Sequence, residues 1–455
     1  MLKTAVILCA GAGTKCWPYA QIRSKTMIPV SNRPIVSYAA ESAKALGIEN
    51  ILVVAGAFSE EIRAFFRGDA AVRVLVDPQP KGTASSLLCA AECVQDDFLL
   101  LYGDTIIDTD DLRRLTEAFE RTHEHTALVG AIESRSSEYI GCTVADGQIE
   151  EIFGHSRDDS THRFAAFAFR RDLFDDLPYT SGRFAYTDVG MMVPTETYLE
   201  NTLGDLLRRG EPIAAVCAAS PFYDIDRPWD ILYANDAVNR KRCAALTGNE
   251  LSEGASIDPT ATIHGFVRLG KNSTIGRNVI IEGSVIVGDD TTIKNGAILL
   301  GSNVIGDRAH IRNACCLEVG ATVGNDCIVS HAAELDGMIM DRVYLYHYME
   351  WFGIIGQNTD LGAATVCGSL RFDDSITLQR VKGRREFHNG FGDAVFLGDY
   401  CRTGVNAIFM PGVKVGVYSV VGAGVLLNQD VPDKTMIYTK QELQTKPWGP
   451  EQYGW

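Results

Sequence analysis

Residues 8–30, LCAGAGTKCWPYAQIRSKTMIPV, hold the first side chains whose types and spacing could do chemistry. Gly11-Ala12-Gly13-Thr14-Lys15 follows the apolar run Ala5-Val6-Ile7-Leu8, and Lys25 stands alone before Ile28-Pro29-Val30. A glycine turn leaving a buried strand lets backbone N–H groups approach an anion, because glycine carries no Cβ and reaches positive φ. Two ammonium groups nearby add mobile positive charge, so the stretch suits the phosphates of a nucleoside triphosphate. A dinucleotide fingerprint does not fit, since position 16 is Cys where a third glycine belongs, and no Gly-Lys-Ser/Thr closes the run as in a Walker A loop. Gly-x-Gly alone fits an ordinary strand-to-loop turn equally well.

Three later motifs extend this reading. In Gln79-Pro80-Lys81-Gly82-Thr83-Ala84, Gly82 allows close approach to a ligand and Gln79 offers a donor and an acceptor to a base edge; Thr83 could instead be only a helix cap. Leu100-Leu101-Tyr102-Gly103-Asp104 ends an apolar run in a carboxylate, which can hold Mg²⁺ or simply open a solvated loop. Tyr223-Asp224-Ile225-Asp226-Arg227-Pro228-Trp229-Asp230 offers three aspartates, any of which could be a second metal ligand or a helix N-cap. Asp230 is the most cap-like, because apolar periodicity begins right after it.

These motifs need elements to position them. Residues 51–54, 72–76 and 98–102 read as strands, and 34–46, 59–66 and 83–93 as helices, the first with Pro at its start. Strand–helix alternation implies an α/β unit with a mostly parallel sheet, in which ligands bind beyond the carboxyl ends of the strands. The motifs fall at those ends.

From about residue 250 the pattern changes. Ile257, Ile263, Leu269 and eleven further aliphatic residues through Leu335 lie six apart without exception. A six-residue period belongs to neither a helix nor a simple strand and signals a parallel β-helix whose aliphatic column points inward. The period is expected to break after Leu335, at an aromatic interruption over residues 338–352 containing His347. It is expected to break again at a polar, basic excursion over 369–393, which carries Arg371, Arg380, Lys382, Arg384 and Arg385.

At 455 residues the chain exceeds a single core, and 46% hydrophobic with 22% charged residues is the balance of a folded soluble protein. A net charge of −16 argues against nucleic acid as a partner, while leaving room for a locally positive cleft. The opening MLKTAVILCAGAG reads as a first strand and not a signal peptide, and no run of 18 apolar residues could span a membrane. The twelve cysteines show no Cys-x-x-Cys or disulfide-like spacing, so reduced thiols and a cytoplasmic location are expected.

The five ordered motifs of residues 1–240 resemble those of the sugar-1-phosphate nucleotidylyltransferases. The resemblance implies attack of a sugar 1-phosphate oxygen on the α-phosphorus of a nucleoside triphosphate (UTP or dTTP), with pyrophosphate leaving. It places Gly11, Gly13 and Lys15 on the triphosphate, Gln79, Gly82 and Thr83 near the base, Lys25 against phosphate charge, and Mg²⁺ on Asp104 and Asp224. No general base is needed, since the attacking phosphate is already ionised; catalysis is positioning and charge neutralisation. Some family features are replaced. Lys15 stands where Arg is usual, and no Glu-Lys-Pro follows Gln148–Ile152. His162–Ala166 takes the place of an Asn-Ala-Gly stretch, and Leu199-Glu200-Asn201 that of Leu-Thr-Asp. The last three belong to the sugar pocket, so either the sugar is unusual or turnover has been lost.

The second half resembles the left-handed β-helix acyltransferases, in particular the acetyltransferase half of archaeal-type bifunctional enzymes making UDP-N-acetylglucosamine. Gly368 with Leu370–Asp374, and Gly398 through Pro411 to Gly416, carry that likeness. It implies a homotrimer, acetyl-CoA as a co-substrate and His347 as the base that takes a proton from a sugar amine; the other reading of His347 is one histidine in a structural loop. Tyr346 replaces the usual Lys and Ser369 the usual Asn.

The expected architecture is an α/β nucleotidyltransferase (Rossmann-like) domain at 1–240, a linker at 241–254, a left-handed parallel β-helix of hexapeptide repeats at 255–437 and a tail at 438–455. The leading function is nucleotidyl transfer to a sugar 1-phosphate, with acetyl transfer to an amino-sugar 1-phosphate as a second activity. The alternatives are an acetyltransferase with a weak nucleotidyl half and a non-catalytic nucleotide-sugar-binding regulatory paralogue.

Overall fold

The computed structural model describes residues 2–132, 139–155, 159–180, 196–388 and 390–453. The first half is built on a nine-stranded sheet. Its strands are β1 (Thr4–Cys9), β2 (Asn50–Ala55), β3 (Val72–Val76), β4 (Phe98–Tyr102), β5 (His125–Ala131), β6 (Ile140–Ala145), β7 (Gln148–His155), β8 (His162–Phe169) and β9 (Ile213–Cys217). The order across the sheet is β3-β2-β1-β4-β8-β5-β9-β7-β6. The four strands from β3 to β4 are parallel, and β8 pairs antiparallel to both β4 and β5. All six residues of β1 are buried, which is why it reads as a continuous apolar run and not an alternation.

Helices α1 (Ile35–Ala45), α2 (Ser59–Phe65), α3 (Thr83–Leu88), α4 (Thr109–Thr122), α5 (Leu199–Arg208) and α6 (Pro228–Ala244) belong to this half, with one further short turn of helix at Leu173–Asp176. Helix α3 is shorter than the 83–93 expected. A small antiparallel pair, Thr105–Ile106 with Tyr223–Asp224, sets Asp224 opposite Thr105, and the Ile225 N–H donates to the Asp104 carbonyl at 3.0 Å. Two carboxylates 120 positions apart in the chain are thereby brought to one place.

The second half is a parallel β-helix with three faces. Coils stack 18 residues apart, with Val267 over Val285 and Ile275 over Ile293. The aliphatic column is buried from Leu269 to Leu427. Corners fall on residues such as Asn295 and Asn313 at positive φ, a region that Asn and Asp tolerate best after Gly. Helix α6 runs to Ala244 and Glu250–Leu251 already pair with Arg268–Leu269, so the connection is shorter than the expected linker.

The expected break after Leu335 is a correction of register and not an interruption. Val323 pairs with Ile339, Val329 with Leu345 and Leu335 with Trp351, each 16 residues on. One corner is tightened by two residues, and a single strand, Glu334–Ile339, turns it without a loop. Gly337 and Gly353 stack at that corner with φ of 122° and 136°. A Cβ on Gly353 would lie 2.0 Å from the Val395 carbonyl oxygen, so only glycine fits. Trp351 belongs to the inner column, edge-on to Phe409 at 5.4 Å. The later excursion does leave the coil. It forms a hairpin, Thr377–Val381 with Arg384–His388, before Val395 resumes the stack.

The two halves are packed together, which no motif foretold. Cys16, Tyr19, Ile28 and Trp229 share a buried apolar cluster with Met338, Ile354 and Phe396 of the β-helix. The Arg23 guanidinium meets Asp399 at 2.6 Å, with side chains 6% and 0% exposed. The Tyr19 hydroxyl donates to the Ile354 carbonyl at 2.9 Å. Asn239 of α6 donates to the Gly320 carbonyl at 2.8 Å and to Thr322 at 2.7 Å. In the tail, Tyr438 and Trp448 are exposed, and Trp455 lies outside the described residues.

Candidate active sites

The glycine turn leaves β1 as expected, and Gly103 follows β4 beside it. The Gly103 N–H donates to the Leu8 carbonyl at 2.9 Å, and a Cβ there would strike Cys9 Sγ at 2.3 Å. The close approach sets Asp104 beside the turn. Gly13 adopts φ 63° and packs directly on the Lys25 side chain, so the turn positions Lys25.

Lys25 is the hub. Its Nζ lies 2.5 Å from Asp104 and 3.1 Å from Asp226, and it is 8% exposed. Burial works against its charge, but Asp104, Asp226 and Asp224 outweigh that and hold the ammonium well above its ordinary range. Lys15 bonds the other oxygen of Asp226 at 3.3 Å. One carboxylate oxygen from each of Asp104, Asp224 and Asp226 lies within 4.8 Å of the others. Burial, then Asp226 and Asp104, push Asp224 up to about 8. Burial also acts on Asp226, but Lys25 and Lys15 hold it below the usual carboxylate range. Three hard oxygen donors crowded until one favours its proton suit a hard divalent cation, which would let all three ionise.

Asp226 was one of three candidates in its motif and was not singled out; the structure makes it the partner of both lysines. Asp230 is not the N-cap of α6. It is the third residue of the helix, and its Oδ2 accepts the N–H groups of Arg227 at 2.7 Å and Asp226 at 3.0 Å. It thereby fixes the loop carrying Asp226.

Two cavities flank the aspartates. One, of about 720 Å³, is lined by Gly11, Gly82, Thr83, Tyr102, Asp104 and Asp226. Gly82 sits at φ 107° against the Thr197 backbone, and Thr83 Oγ1 accepts the Leu199 N–H at 2.9 Å. Thr83 thus ties α3 to α5. Gln79 is exposed and is not among the residues lining this cavity. The other cavity, of about 560 Å³, is lined by Asp224, Asp230, Tyr139 and Arg163, with His388 reaching in from the hairpin of the β-helix. The Arg163 guanidinium is held between the rings of Tyr139 and Phe222, at 4.4 and 4.2 Å. Arg163 stands in the segment that departs from the family pattern. Only its charge could have flagged it.

In the β-helix, His347 sits exposed at a corner with φ 61°. Its Nδ1 is 2.6 Å from Nδ1 of His331, one coil earlier, and its ring stacks on Tyr346 at 5.5 Å. If His347 donates in this bond, its Nε2 keeps a lone pair, as a base requires. His331 was invisible in the sequence because a 16-residue coil, and not 18, brings it alongside.

Comparison with known proteins fits this arrangement. Residues 5–184 match the model of the MobA-like NTP transferase domain. Residues 266–301 match the bacterial transferase hexapeptide (six repeats), and 395–429 the hexapeptide repeat of succinyl-transferase. The bifunctional protein GlmU of Methanococcus maripaludis (strain C7) is 31% identical over 96% of this chain and 98% of its own length. The chain belongs to the bifunctional GlmU family. The GlmU protein of Methanocaldococcus jannaschii is 30% identical over the same shares. A bifunctional sugar-1-phosphate nucleotidylyltransferase/acetyltransferase of Sulfurisphaera tokodaii is 25% identical over 94% of this chain and 98% of the relative. Membership of the GlmU family spans both halves and bears out the resemblance and the fold class: a nucleotidyltransferase unit followed by a left-handed β-helix of hexapeptide repeats. Among the described residues no helix is long and apolar enough to cross a membrane.

Proposed function

We propose that the first half joins a nucleoside triphosphate, UTP or dTTP, to a sugar 1-phosphate, releasing pyrophosphate. The observation that carries this reading is the aspartate cluster between two cavities, one bordered by the glycine turn and the other by Arg163. Gly11, Gly82 and Thr83 border the nucleotide, with Gly13 acting through Lys25, while Gln79 stands outside the cavity lining. Asp104, Asp224 and Asp226 would hold Mg²⁺, which when bound supplies charge neutralisation to the phosphates. Lys25 and Lys15 give up part of their hold on Asp226 and turn to the triphosphate. Arg163, stacked and therefore preorganised, receives the dianionic 1-phosphate in place of the absent Glu-Lys-Pro lysine. An arginine clasp for that phosphate favours an altered sugar pocket over a lost activity. Incubation with each nucleoside triphosphate and a panel of sugar 1-phosphates, with product mass read directly, tests this. A nucleotide sugar should form; its absence with every pair overturns the reading.

The second half, on this proposal, acetylates an amino-sugar 1-phosphate from acetyl-CoA in a homotrimer, in the cytoplasm. His347 Nε2 takes the amine proton, and His331 fixes the tautomer that leaves that nitrogen basic. Thiol release from acetyl-CoA, lost in His347→Ala, is the check.

A further inference from the structure

A third cavity lies on the seam between the halves. Its volume of about 260 Å³ is below the roughly 300–1,000 Å³ of pockets that take drug-sized ligands, so it suits a compact guest. Thr14 and Lys15 line it from the glycine turn, Arg380 and Lys382 from the hairpin of the β-helix, and Lys414 from the following coil. Among the described residues, four cations and no carboxylate line this wall, in a chain of net charge −16.

The nearby carboxylates are already paired, two of them with cations of this wall. Asp226 is held by Lys15 and Lys25, Asp430 by Lys414 and Glu386 by Arg227. No ion-pair partner is assigned to Arg380 or Lys382 among the described residues, although Arg380 lies near enough to weaken the charge of Lys414. Lys414 is itself 2% exposed, and its Nζ is fixed by Gln379 Oε1 at 2.5 Å. Asp430, 3.4 Å away, already shares the charge of the buried, anchored Lys414, so the two outward cations beside it carry the positive charge that an anion would neutralise. The hairpin is locked by the Arg227–Glu386 pair at 2.7 and 3.0 Å, so the cations are held in place.

We propose that this seam cavity is a binding site for a small phosphate-bearing anion, separate from the nucleotide cleft, with Arg380, Lys382 and Lys414 as its receptors and Lys15 shared between the two. The shared chemistry is a phosphate dianion. Its source is either pyrophosphate leaving the reaction or a free phosphomonoester. The site goes beyond the proposed reaction, and its test needs neither metal nor turnover.

The test is calorimetric titration of the full chain, in buffer with a chelator, using inorganic pyrophosphate and, separately, glycerol 3-phosphate. One equivalent of at least one probe should bind. Arg380→Ala/Lys382→Ala should weaken binding by about tenfold or more for each charge-assisted bond lost. Both residues are exposed, so the variant should melt like the wild type, and its nucleoside triphosphate affinity with Mg²⁺ should be unchanged. Selective binding of pyrophosphate assigns the site to the product, and comparable binding of both probes assigns it to a phosphomonoester. Equal affinity in the wild type and the variant, or no binding of either probe, overturns the proposal.

Discussion

Arg23 and Asp399 test the packing of the two halves. Arg23 follows the glycine turn, Asp399 belongs to a β-helix coil, and their 2.6 Å contact is buried on both sides. Among the described residues, Arg23→Met would leave Asp399 in the seam with the Gln357 N–H, at 2.8 Å, as its remaining donor. Breaking one member of such a pair costs about 3–5 kcal/mol. Asp399→Asn keeps the Gln357 bond but strands the guanidinium, at a similar cost. The double variant removes both charges, so the two costs should fail to add by about 2 kcal/mol or more. Urea unfolding of the four proteins, followed by tryptophan fluorescence, measures the cycle; Trp229 reports from the same seam. There is also a signature in pH. Burial already raises the Asp399 carboxyl, with Arg23 opposing the rise. Without Arg23 it rises further, so the folded state takes up a proton that the unfolded chain takes up only near pH 4. The Arg23→Met penalty should therefore shrink as the pH falls from neutrality towards about 4. Additive costs with no pH dependence would refute a buried ion pair across the halves.

Gly353→Ala places a Cβ on the Val395 carbonyl and should cost more than about 3 kcal/mol, whereas Gly248→Ala, which meets nothing within 4 Å, should be neutral in the same melts. His125 is buried against Phe169, and burial, then Arg170, push its pKa down to about 4. The unfolded chain then binds the proton first, so stability should fall by about 3 kcal/mol as the pH drops from about 6.5 to about 4, and His125→Phe should flatten that slope. If His331 orients His347, His331→Ala should lower acetyl transfer and shift its pH profile without changing the acetyl-CoA KM. His347→Ala should lose about 10²–10⁴-fold in rate; an unchanged profile in His331→Ala argues against the pairing.

Much of this was legible in the chain. Gly11, Gly82 and Asp104 announce themselves because each follows an apolar strand, and a parallel sheet gathers such ends on one edge; Lys25 stands out as a lone charge before Ile28-Pro29-Val30. The β-helix is legible because its column repeats locally. What was hidden depends on pairings that no period encodes. Asp226 was one of three candidates until the Tyr223–Asp224 strand paired with Thr105–Ile106. Asp230 looked like a cap because periodicity starts after it, yet the helix begins at Pro228, where the Asp230 carboxylate reaches back to the N–H groups of Asp226 and Arg227 just ahead of it. The two-residue tightening at Gly337 and Gly353 looked like a break because it shifts register while every face survives. Arg163 and His388 line one cavity because the hairpin docks back onto the first half.

The central claim is that Asp104, Asp224 and Asp226 hold the metal for nucleotidyl transfer. The most direct measurement is the initial rate of pyrophosphate release against Mg²⁺ concentration, with the productive nucleotide and sugar 1-phosphate, in the wild type, Asp104→Asn and Asp224→Asn. The rate should need the cation and fall by about 10²-fold or more in each variant, with the fold retained in the circular dichroism spectrum. Rates within twofold of the wild type in either variant, or release that ignores Mg²⁺, would contradict it.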